Sequence, residues 1–371
     1  MRGATFRIRH FYRRHPPQAT TPVCAGVESR CKAILMPTPR LFTLTSASGV
    51  TVRLTDFGAR LTRIDAPDRD GRIARVLLGF DDVAAYGEEA EHGGGAYLGA
   101  TCGRVANRIA GAAFVLDGQR HALAPNEGAN QRHGGPLGFD RATWQVVAAD
   151  ETRVVLHHHS PDGDQGYPGA LALTATFTLS AAGELAIVYQ ATTTRPTHVN
   201  LVSHGYFNLS GRSNAPIADH HLHIQADTYL PVDPAQLPTG ERRAVAGTAF
   251  DFTRPRAIGG ALATDDEQLR LDRGYNHNFC LTPSSSAGTG PREVAWLAHP
   301  PSGRTLTVIT DRPGLQLYSG GWLSGRFARD TGLCLEAQAW PDACNHPDFP
   351  TTRIDPGATY RSETRLRFGT G

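Results

Sequence analysis

The run Ala172-Leu173-Thr174-Ala175-Thr176-Phe177-Thr178-Leu179 is followed, after a turn at Ala182-Gly183, by Glu184-Leu185-Ala186-Ile187-Val188-Tyr189-Gln190-Ala191. Each segment alternates apolar and polar positions, the period of a strand with one buried face. The same theme recurs outward in both directions. Val50 to Leu54, Ala113 to Leu116, Arg153 to His159, His221 to Ala226, Leu306 to Thr310 and Gly314 to Tyr318 are all short runs of this kind. Gly, Pro, Asp and Asn clusters separate them, and Asp117-Gly118 is a hairpin turn signal. Nothing sustains a 3.6-residue period over a normal helix length; a turn or two near Asp81 to Tyr86 is the most that fits. Many short strands with frequent turns predict an all-β sandwich or barrel. Residues 283–291, rich in Ser, Gly and Pro, read as a flexible loop between strands.

The chain has 371 residues and a formal net charge of +2, which points to neither nucleic acid nor a membrane surface. That total hides an asymmetry. Residues 1–35 hold seven basic side chains (Arg2, Arg7, Arg9, Arg13, Arg14, Arg30, Lys32) and one acid, Glu28, so the remainder carries thirty basic against thirty-four acidic residues. We expect a single domain over residues 37–371 and a basic, disordered extension, or a start assigned too early, over residues 1–36. Met1 and Met36 are the only methionines, and patterned sequence begins just after Met36, at Leu41-Phe42-Thr43-Leu44-Thr45. The extension has no apolar stretch of the length a secretory signal needs. No run approaches eighteen apolar residues, so no spanning helix is expected. The six cysteines form no CxxC pair and no zinc spacing, which suits a reducing, cytoplasmic location.

Chemistry is suggested by two segments. Leu333-Cys334-Leu335-Glu336-Ala337-Gln338-Ala339-Trp340-Pro341 reads as a strand ending at a Pro-rich loop. Alternation puts Glu336 on one face with Cys334 and Gln338, opposite Leu333, Leu335 and Ala337. Far upstream lies Thr197-His198-Val199-Asn200-Leu201-Val202-Ser203-His204-Gly205-Tyr206-Phe207-Asn208-Leu209. There is no Gly-rich phosphate loop, no His-Glu-x-x-His and no Gly-x-Ser-x-Gly. His157-His158-His159 and the group His220, His221, His223 offer at most two same-face ligands each, and are read as exposed strand faces rather than metal sites.

Together the His204 and Glu336 segments resemble the catalytic strands of the aldose 1-epimerases, also called galactose mutarotases. Further landmarks occur in the family's order over residues 41–368: Gly103-Arg104-Val105-Ala106-Asn107-Arg108-Ile109, His133-Gly134-Gly135, Gly138-Phe139-Asp140, Asp162-Gly163-Asp164-Gln165-Gly166-Tyr167-Pro168-Gly169, Asp227 to Asp233, and Ala249-Phe250-Asp251-Phe252. The resemblance implies a large antiparallel β-supersandwich with very little helix. It also implies a cofactor-free, metal-free enzyme that interconverts the α and β anomers of free aldoses.

That reaction needs a base for the C1 hydroxyl and an acid for the ring oxygen. By resemblance Glu336 is the base and His204 the acid, and a neighbouring carboxylate is expected to raise the histidine pKa from its ordinary value of about 6.5. By the same resemblance Asn107, Arg108, His133 and Gln316 bind the sugar, and Tyr206, two residues after His204, forms part of the wall. Asn276, in Gly274-Tyr275-Asn276-His277-Asn278-Phe279, stands where the family usually has a sugar-contacting Asp. An amide there keeps one acceptor, adds a donor and loses the charge, so an altered affinity or sugar preference is expected. The expected partner is a monosaccharide, with no nucleic acid or membrane, and the chain is expected to act as a monomer or weak homodimer. Two other readings are a glycoside hydrolase or lyase, with Asp311 or Asp342 as second carboxylate, and a non-catalytic sugar-binding protein.

Overall fold

The computed structural model describes residues 38–91, 95–283 and 290–371. The basic extension over residues 1–36 and most of the Ser-rich loop lie outside the described residues. The alternating runs become strands where their pattern says: Arg153–Ser160, Leu171–Leu179, Glu184–Thr193, Arg304–Thr310, Gly314–Tyr318 and Leu333–Gln338. Leu171–Leu179 and Glu184–Thr193 pair along their whole length, from Leu171 opposite Thr193 to Leu179 opposite Leu185. Leu173, Ala175, Phe177, Leu185 and Ile187 point into the core, and the intervening threonines point out. Full burial of a side chain such as Phe177 contributes roughly 1.5–3 kcal/mol. The turn between them needs Gly183: its φ is +83°, and a Cβ there would lie 2.5 Å from Ser48 Oγ.

Strands assemble into a nine-stranded and a six-stranded antiparallel sheet, with a four-stranded sheet from the first strands, Leu41–Thr45 to Ile73–Arg75. Their inner faces share one apolar core that holds Leu44 and Val52, Leu173 and Phe177, and Leu315 and Leu333. The strand Tyr360–Thr370 sits inside the nine-stranded sheet, between Glu184–Thr193 and Arg304–Thr310. The fold is therefore an all-β antiparallel sandwich, and residues 39–371 form one compact unit. At Asp117-Gly118 both residues have positive φ, the twist-matched turn of a tight hairpin joining Ala113–Leu116 to Gln119–Ala122.

Helix is scarce among the described residues: Ala84–Glu91, Ile258–Leu262 and Glu267–Leu271, besides a few 3-10 turns. The first lies close to the turn expected after Asp81. The last is capped by Asp266, whose carboxylate accepts from the Gln268 and Leu269 N–H groups at 2.8 and 3.3 Å.

One expectation about histidines needs correcting. His220 is not on an exposed face; it is fully buried, and its Nε2 accepts the Leu209 N–H at 2.9 Å. His158 is half-buried against Phe139 and Trp144. Burial pushes its pKa down to about 4.

Candidate active site

The six-stranded sheet runs, in spatial order, Tyr206–Phe207, Leu333–Gln338, Gly314–Tyr318, Asn276–Leu281, Ala226–Tyr229 and Arg243–Ala244. Antiparallel partners share a face. Register pairs Tyr206 and Tyr318 with Cys334, Gln316 with Glu336 and with Asn278, and Asn276 with Tyr318. These residues therefore cover one face. The other presents Phe207, Leu333, Leu335, Leu315, Leu317 and Phe279 to the core. The alternation read along Leu333–Gln338 is the alternation found.

His204 reaches this polar face from the segment between Val202–Ser203 and Tyr206–Phe207. Its backbone is pinned on both sides: its N–H donates to Ala100 O, and its carbonyl accepts the Gly99 N–H, each at 2.8 Å. The imidazole lies among the rings of Tyr97, His133 and Tyr206, at centroid distances of 6.0, 5.2 and 5.2 Å. Nε2 is 3.7 Å from Glu336 Oε1, and Nδ1 is 3.5 Å from Cys334 Sγ. Both side chains are only 3% exposed.

Burial governs this pair. Taking each group out of water disfavours its charged form. The Glu336 carboxyl is raised to about 8, and Arg132 alone opposes that. The His204 imidazole is lowered to about 3, first by burial and then by Arg132. The histidine is thus not raised by its carboxylate neighbour, as the sequence suggested; burial of the imidazole lowers it instead. In the unliganded protein burial therefore favours the neutral form of both groups.

His204 and Glu336 open onto a cavity of about 660 Å³. Asn107, Arg108, His133, Tyr206 and Asn276 line it too. Asn107 and His133 both have left-handed backbones, with φ of +63° and +50°. The two are locked together: His133 N–H donates to Asn107 O at 2.8 Å, and Asn107 N–H donates to His133 Nδ1 at 3.3 Å. That leaves the proton of the neutral ring on Nε2, and burial holds the His133 pKa well down. Arg108 is held by Glu127 through paired contacts of 2.5 and 3.0 Å.

Gln316 is placed differently from these residues. It lines a small pocket beside the main cavity, shared with Asn107 and Asn276, and donates to Asn276 Oδ1 at 2.7 Å while accepting from Gln338 at 3.1 Å. Alternation fixed its face, and the hydrogen bond to Asn276 links it to the cavity wall. Asp311 and Asp342 do not line the cavity either. Asp342 accepts from Asn345 and from the Ala110 N–H. Asp311 is bound to Arg312 and to the Glu363 N–H.

Lining residues that went unread in the sequence include Glu127, Arg132, Asp272 and Trp322. Arg132 covers the Tyr97 ring at 5.0 Å and lies 3.4 Å from Glu127. Its position directly before the His133-Gly134-Gly135 motif was the available signal. Asp272 had none, because a five-residue helix leaves no periodic trace. Among the described residues, one group of donor atoms is close enough to hold a metal ion: His204, Cys334 and Glu336, mutually within 4.8 Å.

The sequence profile described as aldose 1-epimerase matches residues 40–367. The chain belongs to the aldose 1-epimerase family. Among curated family members, galactose mutarotase from Bos taurus is 40% identical over 325 residues, 85% of this chain and 90% of its own length. Aldose 1-epimerase from Escherichia coli K12 is 39% identical over 338 residues, 89% of this chain and 95% of its own. Among solved structures, an aldose epimerase homologue from C. elegans superposes with a TM-score of 0.82 at 29% identity, over 90% of this chain and 99% of its own. Galactose 1-epimerase from Lactobacillus acidophilus gives a TM-score of 0.77 at 30% identity, over the same shares.

Proposed function

We propose that this protein is an aldose 1-epimerase that interconverts the α and β anomers of free aldoses such as glucose and galactose, with Glu336 and His204 as its acid–base pair. The observation that carries this reading is that pair: a buried carboxyl and a buried imidazole, 3.7 Å apart, at the wall of one cavity with room for a sugar. As a sugar enters, hydrogen bonds from its hydroxyls favour the Glu336 carboxylate, and the proton passes to His204. Glu336 then takes the C1 hydroxyl proton as the C1–O5 bond breaks, and His204 gives its proton to O5. The open-chain aldehyde rotates about C1–C2. Closure runs the steps backwards on the other face, with the two groups exchanging roles. One proton leaves and one returns, so no cofactor is consumed.

Asn107, Arg108, His133, Tyr206 and Asn276 hold the hydroxyls and ring in this scheme, and Gln316 orients Asn276. The free thiols of Cys102, Cys280, Cys334 and Cys344 support a reducing, cytoplasmic setting. Among the described residues no helix is long and apolar enough to cross a membrane. A monosaccharide is the proposed partner, without nucleic acid or membrane, and the proposed state is a monomer or weak homodimer.

Polarimetry of freshly dissolved α-D-glucose and α-D-galactose tests the reading. The protein should speed the approach to the same final rotation, and Glu336→Gln should not. Equal rates with and without protein for both sugars would sink it. Release of reducing ends from oligosaccharides would replace it with hydrolysis.

A further inference from the structure

Asp272 follows directly on the helix Glu267–Leu271 and is held rigidly. The Gln268 amide bonds both backbone groups of Val232, at 2.7 and 3.1 Å. Beyond it Arg273 has φ of +55°, and Gly274 has φ of +138° with room for no Cβ, which would meet Ser319 Oγ at 2.4 Å. Asp272 is 3% exposed and lines the cavity. Its Oδ1 accepts from Trp322 Nε1 at 2.6 Å, while its buried Oδ2 has no hydrogen-bond partner. With Oδ1 fixed by Trp322, Oδ2 is the oxygen left for a ligand.

The neighbouring Asn276 is oriented by Gln316, which donates to its Oδ1. That leaves its NH₂ for the Asp272 carboxyl: burial raises the Asp272 pKa, and the Trp322 and Asn276 N–H groups oppose that by favouring the charged form. An aspartate at 276 would set a second negative charge against the first. The acid at 272 and the amide at 276 fit each other; two acids would not. Trp322 completes the group: it is 53% exposed, lines the cavity, and stacks under the Arg273 guanidinium at 4.0 Å. An aromatic ring beside a carboxylate acceptor suits a pyranose, with its apolar ring face and hydroxyl edge.

We propose that Asp272 and Trp322 form a sugar-hydroxyl subsite that sets affinity and sugar preference in this chain, with the negative charge of the binding wall carried at 272 rather than at 276. This rests on the epimerase reading above. In it Asp272 accepts a hydroxyl hydrogen from the substrate, and Trp322 positions Asp272.

The test is a charge exchange: Asp272→Asn, Asn276→Asp and the double variant, with KM and kcat for glucose, galactose and xylose, and quenching of tryptophan fluorescence by each sugar. Losing a charge-assisted hydrogen bond should raise KM about tenfold or more in Asp272→Asn, with much less change in kcat. Asn276→Asp alone should also raise KM at neutral pH, and lowering the pH should relieve it as one carboxyl takes a proton. The double variant should recover most of the loss. Unchanged KM for all three sugars in Asp272→Asn, or a double variant as poor as the two singles combined, overturns the proposal. Should Asp272→Asn melt far below the parent, Trp322→Phe replaces it: it keeps an aromatic ring but removes the N–H that orients Asp272, and KM should rise severalfold while an unchanged KM counts against the subsite. Wild type that is quenched by sugar yet speeds no mutarotation would sink the epimerase reading and leave the subsite standing. Wild type that neither binds nor converts any of the three sugars overturns both.

Discussion

Glu336 and Leu335 are adjacent on one strand, equally inaccessible to water, and serve opposite ends. Leu335 joins Leu333, Leu315 and Leu317 in the core on one face of the six-stranded sheet. Glu336 joins Cys334, Gln316 and Tyr206 on the other. The apolar face is where burial lowers free energy. The polar face is where burial opposes it: a carboxyl is raised to about 8 and an imidazole lowered to about 3 because both have lost water. One sheet thus divides its labour by parity, with odd-numbered residues of this strand supplying cohesion and even-numbered ones reactivity.

Substitutions across that divide should separate the two roles. The largest effect belongs to Glu336→Gln, which should slow mutarotation by ~10²–10⁴-fold at little cost in stability, since an amide of the same shape replaces a buried neutral acid. Polarimetry beside a melting curve reads both; full activity would break the division. Next is Leu335→Ala, expected to lose about 2–5 kcal/mol of stability through lost burial and a cavity, measured by denaturant unfolding. The folded remainder should keep near-normal kcat.

A pH profile sharpens the contrast. Activity needs the singly protonated pair, so kcat/KM should fall as pH rises through about 8, where the pair loses its proton. A rate that instead climbs through that region would mean Glu336 acts alone as an ionised base. Stability carries the same signature. The Glu336 pKa is raised on folding from 4.5, so its contribution is complete below that value and lost as pH rises through about 8. His204 is lowered from 6.5, so its contribution is present above that value and lost as pH falls through about 3. Glu336→Gln should flatten the first slope and leave the second, by denaturation at a series of pH values. The smallest effect is Arg132→Met. Arg132 favours the Glu336 carboxylate, so its loss should move the alkaline limb of the rate profile upward, and an unmoved limb would show that charge to be screened.

Strands with one solvated face were legible because threonine and leucine alternate in them. Arg60–Pro67 was not legible, since most of both faces is buried and the pattern dissolves. Asn276–Leu281 was hidden for a related reason: nearly all of it is buried, polar residues His277 and Asn278 included. Alternation also told which face Gln316 occupies but not its depth, because the row nearest the ligand is decided by neighbouring strands. Asp272 and Trp322 come from a short helix and a loop, where no period exists. The pKa ordering of His204 and Glu336 was out of reach as well, because it depends on burial of the pair as a whole.

The strand Tyr360–Thr370, between Glu184–Thr193 and Arg304–Thr310, has a consequence for biosynthesis. Both of its neighbours leave the ribosome earlier and must wait with open edges for residue 370 to be made. The nine-stranded sheet therefore closes only after translation has passed its central strand, and until then two long apolar edges depend on chaperones or speed to escape wrong pairing.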